Sequence, residues 1–214
     1  VTAHFDDEDQ AEQLKQWWKD NWKALVAGLV LGVGAIFGWE GWKDYRETRA
    51  GQASQMFEDM KLALSQAKTE DAMKIGDTLA KEHADTPYAA GAALFLAAES
   101  ARANDLDGAV ARLQWVEQYS KDEGLQQVAR LRHARVLWQQ NKLDEALKKL
   151  DGENTEFQAL AEELRGDIRL AQGDRPAARA AYEKALGAAD ADDAATRSSL
   201  QRKIDDLSDA VAQS

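Results

Sequence analysis

The stretch from Ala24 to Trp39, ALVAGLVLGVGAIFGW, holds sixteen residues without a charge and constrains the chain more than any other feature. Counted from Trp22 to Trp42, a helix here would be about 31 Å long at about 1.5 Å per residue, close to the roughly 30 Å hydrocarbon thickness of a bilayer. Leu25, Val26, Leu29, Val30, Leu31, Val33, Ile36 and Phe37 each favour insertion by roughly 0.3 to 0.6 kcal/mol, whereas a central charge would cost roughly 2.5 to 3.5 kcal/mol. No such charge is present. Lys23 and Glu40 stand at the ends, within reach of headgroups, and Trp17, Trp18, Trp22, Trp39 and Trp42 supply interfacial anchors on both sides.

Two other readings of this stretch fail. A buried core helix is rarely apolar all round. A cleaved signal peptide needs a basic leader and a small-residue cleavage site, but Asp6, Asp7, Glu8 and Asp9 precede the stretch and bulky Trp39 and Trp42 close it. The anchor is therefore expected to be retained. Gly28 and Gly32, and again Gly34 and Gly38, form two small-xxx-small spacings on different helix faces, where another membrane helix can approach closely.

The remainder has a different character. Of the formal charge of −11, residues 51–214 carry −8, a sign that repels phosphate backbones and leaves nucleic-acid binding without support. The chain has no cysteine, which excludes disulfides and thiolate chemistry, and only two prolines. Abundant Ala, Leu, Glu, Gln, Lys and Arg, with no alternating β-branched runs outside the anchor, predict an all-α domain. The apolar stripe Ala53, Met56, Phe57, Met60 and Leu64 predicts that the membrane helix runs on into the first soluble helix.

Internal repeats organise the soluble part. NDLDGAVARL from Asn104, NKLDEALKKL from Asn141 and GDRPAARAAY from Gly173 align without gaps, and a weaker copy, AKTEDAMKIG, begins at Ala67. The three stronger copies open with Asn or Gly, which tolerate the left-handed conformation that ends a helix, and all four place an alanine five positions on: Ala72, Ala109, Ala146 and Ala178. A small residue there lets the second helix of a pair nestle against the first.

Period and pattern resemble the tetratricopeptide repeat. The last copy fits best, with Gly166, Ala178, Tyr182, Ala185 and Leu186 at the required spacings, while Met60 and His133 stand where a small residue and a leucine are preferred. Thr86-Pro87 reads as the N-cap and first residue of a helix. The prediction is a right-handed solenoid of four helix pairs closed by a capping helix from about Ala191 to Ala212. Transposing the repeat's geometry, the groove would be lined by Ala98, Arg102, Arg135, Trp138, Gln139 and Asp167, with Trp138 the favoured anchor.

Catalytic chemistry has no foothold. His4, His83 and His133 lie far apart without carboxylate partners at ligand spacing, and no nucleophile, metal or phosphate-binding motif occurs, so no catalytic, metal or cofactor-binding residue is nominated and no enzyme is expected.

The segment LKQWWKDNWKALVAGLVLGVGAIFGWEGWKDYRETRAGQAS, with its paired Trp17 and Trp18, Gly-rich span and GWxxW from Gly38 to Trp42, leads into a degenerate repeat domain. The combination resembles the bacterial family of ancillary SecYEG translocon subunits. The resemblance implies a single-pass protein of the bacterial inner membrane, with residues 1–21 an acidic cytoplasmic tail, 22–42 the transmembrane anchor, 43–66 the connecting and first solenoid helix, and 67–214 a periplasmic repeat domain with its capping helix. It implies as partners the lipid bilayer, the Sec translocon, a membrane-anchored periplasmic prolyl-isomerase-type chaperone and unfolded exported polypeptides, and a role in the biogenesis of exported and outer-membrane proteins. Charge leaves the orientation tied, since Lys15, Lys19 and Lys23 precede the span and Lys43, Arg46 and Arg49 come after it. A self-associating structural scaffold of the cell envelope is the alternative role.

Overall fold

The computed structural model of the chain describes residues 3–152 and 156–212, with side chains described at 12, 14–152 and 156–207. His4 and the acidic cluster Asp6, Asp7, Glu8 and Asp9 have side chains outside the described residues. The described elements are all helical: α1 (Ala3–Ser65), α2 (Thr69–Glu82), α3 (Pro87–Arg102), α4 (Leu106–Tyr119), α5 (Glu123–Gln139), α6 (Leu143–Lys149), α7 (Gln158–Ala171), α8 (Arg175–Ala188) and α9 (Ala194–Ala212). Helix α1 continues through Gly51 into the first soluble helix, and the chain divides into two compact units, Val1–Arg49 and Ala50–Ser214.

The first unit is a helix whose described apolar side chains are exposed. Its most apolar window has no buried residue, and Leu31 is 73% exposed. Among the described residues this is one helix long and apolar enough to cross a membrane. An apolar surface of that extent is unfavourable in water and matches lipid.

The second unit is built from pairs. The end of α1 pairs with α2, α3 with α4, α5 with α6, and α7 with α8, while α9 packs on α8. The first helices also touch in succession, α3 with α5 and α5 with α7. The core runs in the same order as successive clusters, from Ala53, Met60, Leu79 and Leu96 at one end to Tyr182, Leu200 and Ile204 at the other. Each pair buries its apolar face only against its neighbours, as a solenoid requires.

All four pairs turn in the same way. Ala67, Asn104, Asn141 and Gly173 have φ of 57°, 61°, 61° and 80°. The next residue's N–H reaches back to a carbonyl five positions earlier, as in Lys68 to Ala63 at 2.9 Å and Asp174 to Arg169 at 2.9 Å. The left-handed residue's own N–H bonds three positions back, as in Asn141 to Trp138 at 2.8 Å. This double bond pattern satisfies carbonyls that the helix end would otherwise orphan. Asp105 and Asp174 then cap the next helices, accepting from Gly108 N at 3.0 Å and Ala177 N at 3.1 Å, whereas Lys68 and Lys142 offer no side-chain cap. Thr86 stands at the N-cap of α3, but its hydroxyl donates to His83 O at 2.8 Å, so it closes the preceding turn rather than capping the new helix.

The alanines five residues past each turn, Ala72, Ala109, Ala146 and Ala178, are fully buried. One helical turn further on, a large side chain meets a small one across the pair. Tyr182 lies over Gly166 so closely that a Cβ on Gly166 would stand 2.3 Å from its ring. Leu150 shares a cluster with Ala134, and Leu113 with Ala97. In the first pair the sizes are exchanged, because Gly76 occupies the second-helix position and Met60 the first, with the Met60 sulfur 3.4 Å from where a Gly76 Cβ would sit. The closest neighbour of such a Cβ would be the Leu96 side chain on α3, so Gly76 makes room for Leu96 first and lies in contact range of Met60.

Gly166→Ala is expected to destabilise the chain by about 1 to 3 kcal/mol, because the Tyr182 ring cannot yield without repacking. Ala67→Gly should stabilise it by about 1 kcal/mol by relieving a left-handed alanine. Urea unfolding followed by circular dichroism reads both, and equal midpoints for the two variants would contradict this packing.

Candidate polypeptide-binding groove

Helices α3, α5 and α7 stand side by side because each is the first member of its pair, and their open faces form one surface. Two hollows indent it. One, of about 190 Å³, lies between α3 and α5 and is lined by Ala97, Ala98, Ala101, Leu113, Val136 and Gln139. The other, of about 270 Å³, lies between α5 and α7 and is lined by Val128, Leu131, Phe157, Leu160 and Leu164. Arg132 and Arg135 line both, so the hollows meet at α5.

The expected groove residues fall into two groups. Ala98, Arg135 and Gln139 line the hollow between α3 and α5. Trp138 is half-buried against the core shared by α5, α6 and α7, and lines neither hollow. Arg102 is exposed at the end of α3, where its guanidinium pairs with Glu99. Asp167 accepts hydrogen bonds from the Tyr182 hydroxyl and from Lys203 Nζ, each at 2.8 Å, and Lys203 also reaches Glu163 at 2.8 Å.

The hollows also take in residues earlier on α5 and α7. Leu131 and Val128 stand four and seven residues before Arg135, and Leu160 seven before Asp167, so helical spacing alone puts them on the same face. Leu160 is 48% exposed, unusual for a leucine beside a hollow unless that surface is meant to be covered. Phe157, at the N-cap of α7, carries no periodic signal. Further along the row of first helices, Phe57 packs edge-on against Phe95 at 5.7 Å and near Tyr88 at 6.1 Å, leaving Phe95 47% exposed.

His133 has a separate role. It is buried, and its Nδ1 lies 2.7 Å from Glu117 Oε1 while Lys149 Nζ lies 2.6 Å from Glu117 Oε2. The three residues tie α4, α5 and α6 together where the repeat prefers leucine. Burial pushes the Glu117 carboxyl up, but hydrogen bonds from His133 and Lys149, with their charges, outweigh it and hold the group below its ordinary 4.5. Between α7 and α8, burial and the bond to Asp167 raise the Tyr182 hydroxyl. Burial opposes the charge of Lys203, but Asp167 and Glu163 prevail and raise it.

In the membrane unit, Trp17, Trp18, Trp22, Trp39 and Trp42 are all exposed, with Trp39 and Trp42 rings 5.3 Å apart and Arg46 4.8 Å over Trp42. A Cβ added at Gly28, Gly32, Gly34 or Gly38 would meet nothing within 4 Å, so both small faces are open.

Residues 15–209 match the family model of the tetratricopeptide repeat-like domain. An ancillary SecYEG translocon subunit of Escherichia coli (strain K12) is 36% identical over 97% of this chain and 100% of its own length. The chain belongs to the ancillary SecYEG translocon subunit family. Family members from Haemophilus influenzae and Neisseria gonorrhoeae are 33% and 31% identical, over 85% and 97% of the chain and 89% and 100% of their own lengths. A solved structure of a MamA RS-1 ArsTM double mutant superposes with a TM-score of 0.51 at 17% identity, covering 76% of this chain and 97% of that one, a likeness of fold alone.

The depressed Glu117 pKa sets a pH dependence for the repeat domain. Because the folded value lies below the unfolded one, the carboxylate's contribution is complete above the unfolded value and is lost as pH falls through the folded one. Between about pH 6 and about pH 3.5, the parent chain should lose more stability than Glu117→Gln, as read from urea midpoints. Parallel curves would remove the network from the acid response.

Proposed function

We propose that the chain is a non-catalytic, membrane-anchored adaptor that holds polypeptide beside the Sec translocon. The observation that carries this reading is the pair of apolar hollows on the open face of α3, α5 and α7, which the chain itself leaves uncovered. Surfaces with partly exposed leucine and phenylalanine around arginine are suited to protein contacts, and the translocon named for the relatives supplies a setting in which extended chains are abundant. In this reading residues 22–42 cross the bacterial inner membrane once, 1–21 are cytoplasmic, and 43–66 connect to a periplasmic domain of 67–214. The partners are the translocon, a membrane-anchored periplasmic prolyl-isomerase-type chaperone and unfolded exported polypeptides, including those bound for the outer membrane.

A photoreactive residue at Leu131 or Trp138 of the full chain should crosslink to exported polypeptides or to a periplasmic chaperone. Crosslinks confined to cytosolic proteins would refute the reading. Protease added to intact spheroplasts should digest residues 51–214, and protection until lysis would reverse the orientation.

A second reading, a self-associating envelope scaffold, is favoured by the open glycine faces. Leucine at Gly28 and Gly32 meets no obstacle within the chain, so a change on native gels would report on lost helix partners, whereas an unaltered complex would dismiss the scaffold.

A further inference from the structure

We propose that the groove selects segments in which an acidic residue is flanked by apolar side chains, and that Arg135 is the specificity-determining residue that reads the carboxylate. The proposal rests on the reading of this surface as a polypeptide site and names the kind of segment it takes.

Two guanidiniums in the groove, Arg132 and Arg135, stand without a counter-charge, and among the described residues Arg135 is also without a hydrogen-bond partner. Residues 51–214 carry a formal −8, so the domain as a whole disfavours acidic ligands. Several nearby charges are cancelled by the chain. Arg102 is held by Glu99, and Glu163 and Asp167 are both held by Lys203 from the capping helix, whereas Arg132 keeps its charge but is tethered by donating to Leu94 O at 3.2 Å. Among the described residues no hydrogen bond or ion pair engages Arg135, although it lines both hollows.

An arginine in this setting is a selective reader. Its planar fork matches a carboxylate in two parallel hydrogen bonds, and it is more weakly hydrated than an ammonium, so less is lost when a ligand covers it. The neighbouring Val128, Leu131 and Leu160 exclude water once a ligand seats, which strengthens the attraction. In an extended peptide, side chains two apart share a face. A segment of the form apolar-x-acid-x-apolar therefore offers its carboxylate to Arg135 and one apolar side chain to each hollow. A lysine at the central position would face an uncompensated guanidinium and be rejected.

The test uses the full chain in dodecyl maltoside micelles and three fluorescein-labelled peptides of leucine-serine-X-serine-leucine pattern, with X as Asp, Asn or Lys, read by anisotropy at low salt. The Asp peptide should bind about tenfold more tightly than the Asn peptide, the gain of a charge-assisted pair, and the Lys peptide should bind more weakly than either. Arg135→Gln should erase the Asp advantage while leaving Asn binding in place, whereas Arg179→Gln, on the surface of α8, should leave it intact. Equal binding of Asp and Asn peptides, abolished for both by Leu160→Glu, would overturn the selectivity while the groove reading stands. Failure of all three peptides to bind would remove the groove reading and the selectivity with it. An Asp preference that survives Arg135→Gln, or a doubling of mass in light scattering that Arg135→Gln reverses, would also overturn the proposal, the latter by assigning the groove to a second copy.

Discussion

Close approach of two helices at one point per pair is the constraint that generates the repeat domain. A buried alanine after each turn and, one turn later, a large side chain against a small one set the spacing of every pair. Packed interiors tolerate little extra volume, so the sum across the contact matters more than the size at either position. Gly76, set against both Leu96 of α3 and Met60 of α1, illustrates this. The small residue has moved to the other helix, and the interface still closes. With the spacing fixed, the first helices fall into a row, and the groove is a consequence of that row.

Charge works on a different scale. Glu117, His133 and Lys149 bridge three helices through a half-buried carboxylate, while Lys203 reaches from α9 to both Glu163 and Asp167 on α7 and lies 5.2 Å over the Tyr182 ring. Partly exposed pairs of this kind contribute modestly to stability in water. Their larger effect is on the surface offered to partners. The capping helix cancels Glu163 and Asp167, while Arg132 and Arg135 line both hollows without a counter-charge.

The membrane unit obeys simpler physics. Among the described residues nothing covers Leu29, Leu31 or Phe37, and no buried residue lies in the most apolar window, a surface that suits a hydrocarbon surrounding. The tryptophans at both ends and the open glycine faces are then the places where lipid headgroups and neighbouring helices make contact.

Much of this architecture was legible in the residues because it consists of local or periodic demands. A span needs an uninterrupted apolar run, a left-handed turn favours Asn or Gly, and a close helix approach needs a small residue at a fixed offset. Even Ala67, an unfavourable choice for its conformation, was betrayed by the alanine five positions later. Leu131 and Leu160 were equally readable from spacing, whereas Phe157 was not. Which groove charges remain available was a matter for tertiary packing alone. Lys203 stands forty and thirty-six residues from Glu163 and Asp167, and no helical period connects α9 with α7. The residues by themselves could therefore nominate Asp167 and Arg135 alike, and only the docking of the capping helix showed that the first is already engaged.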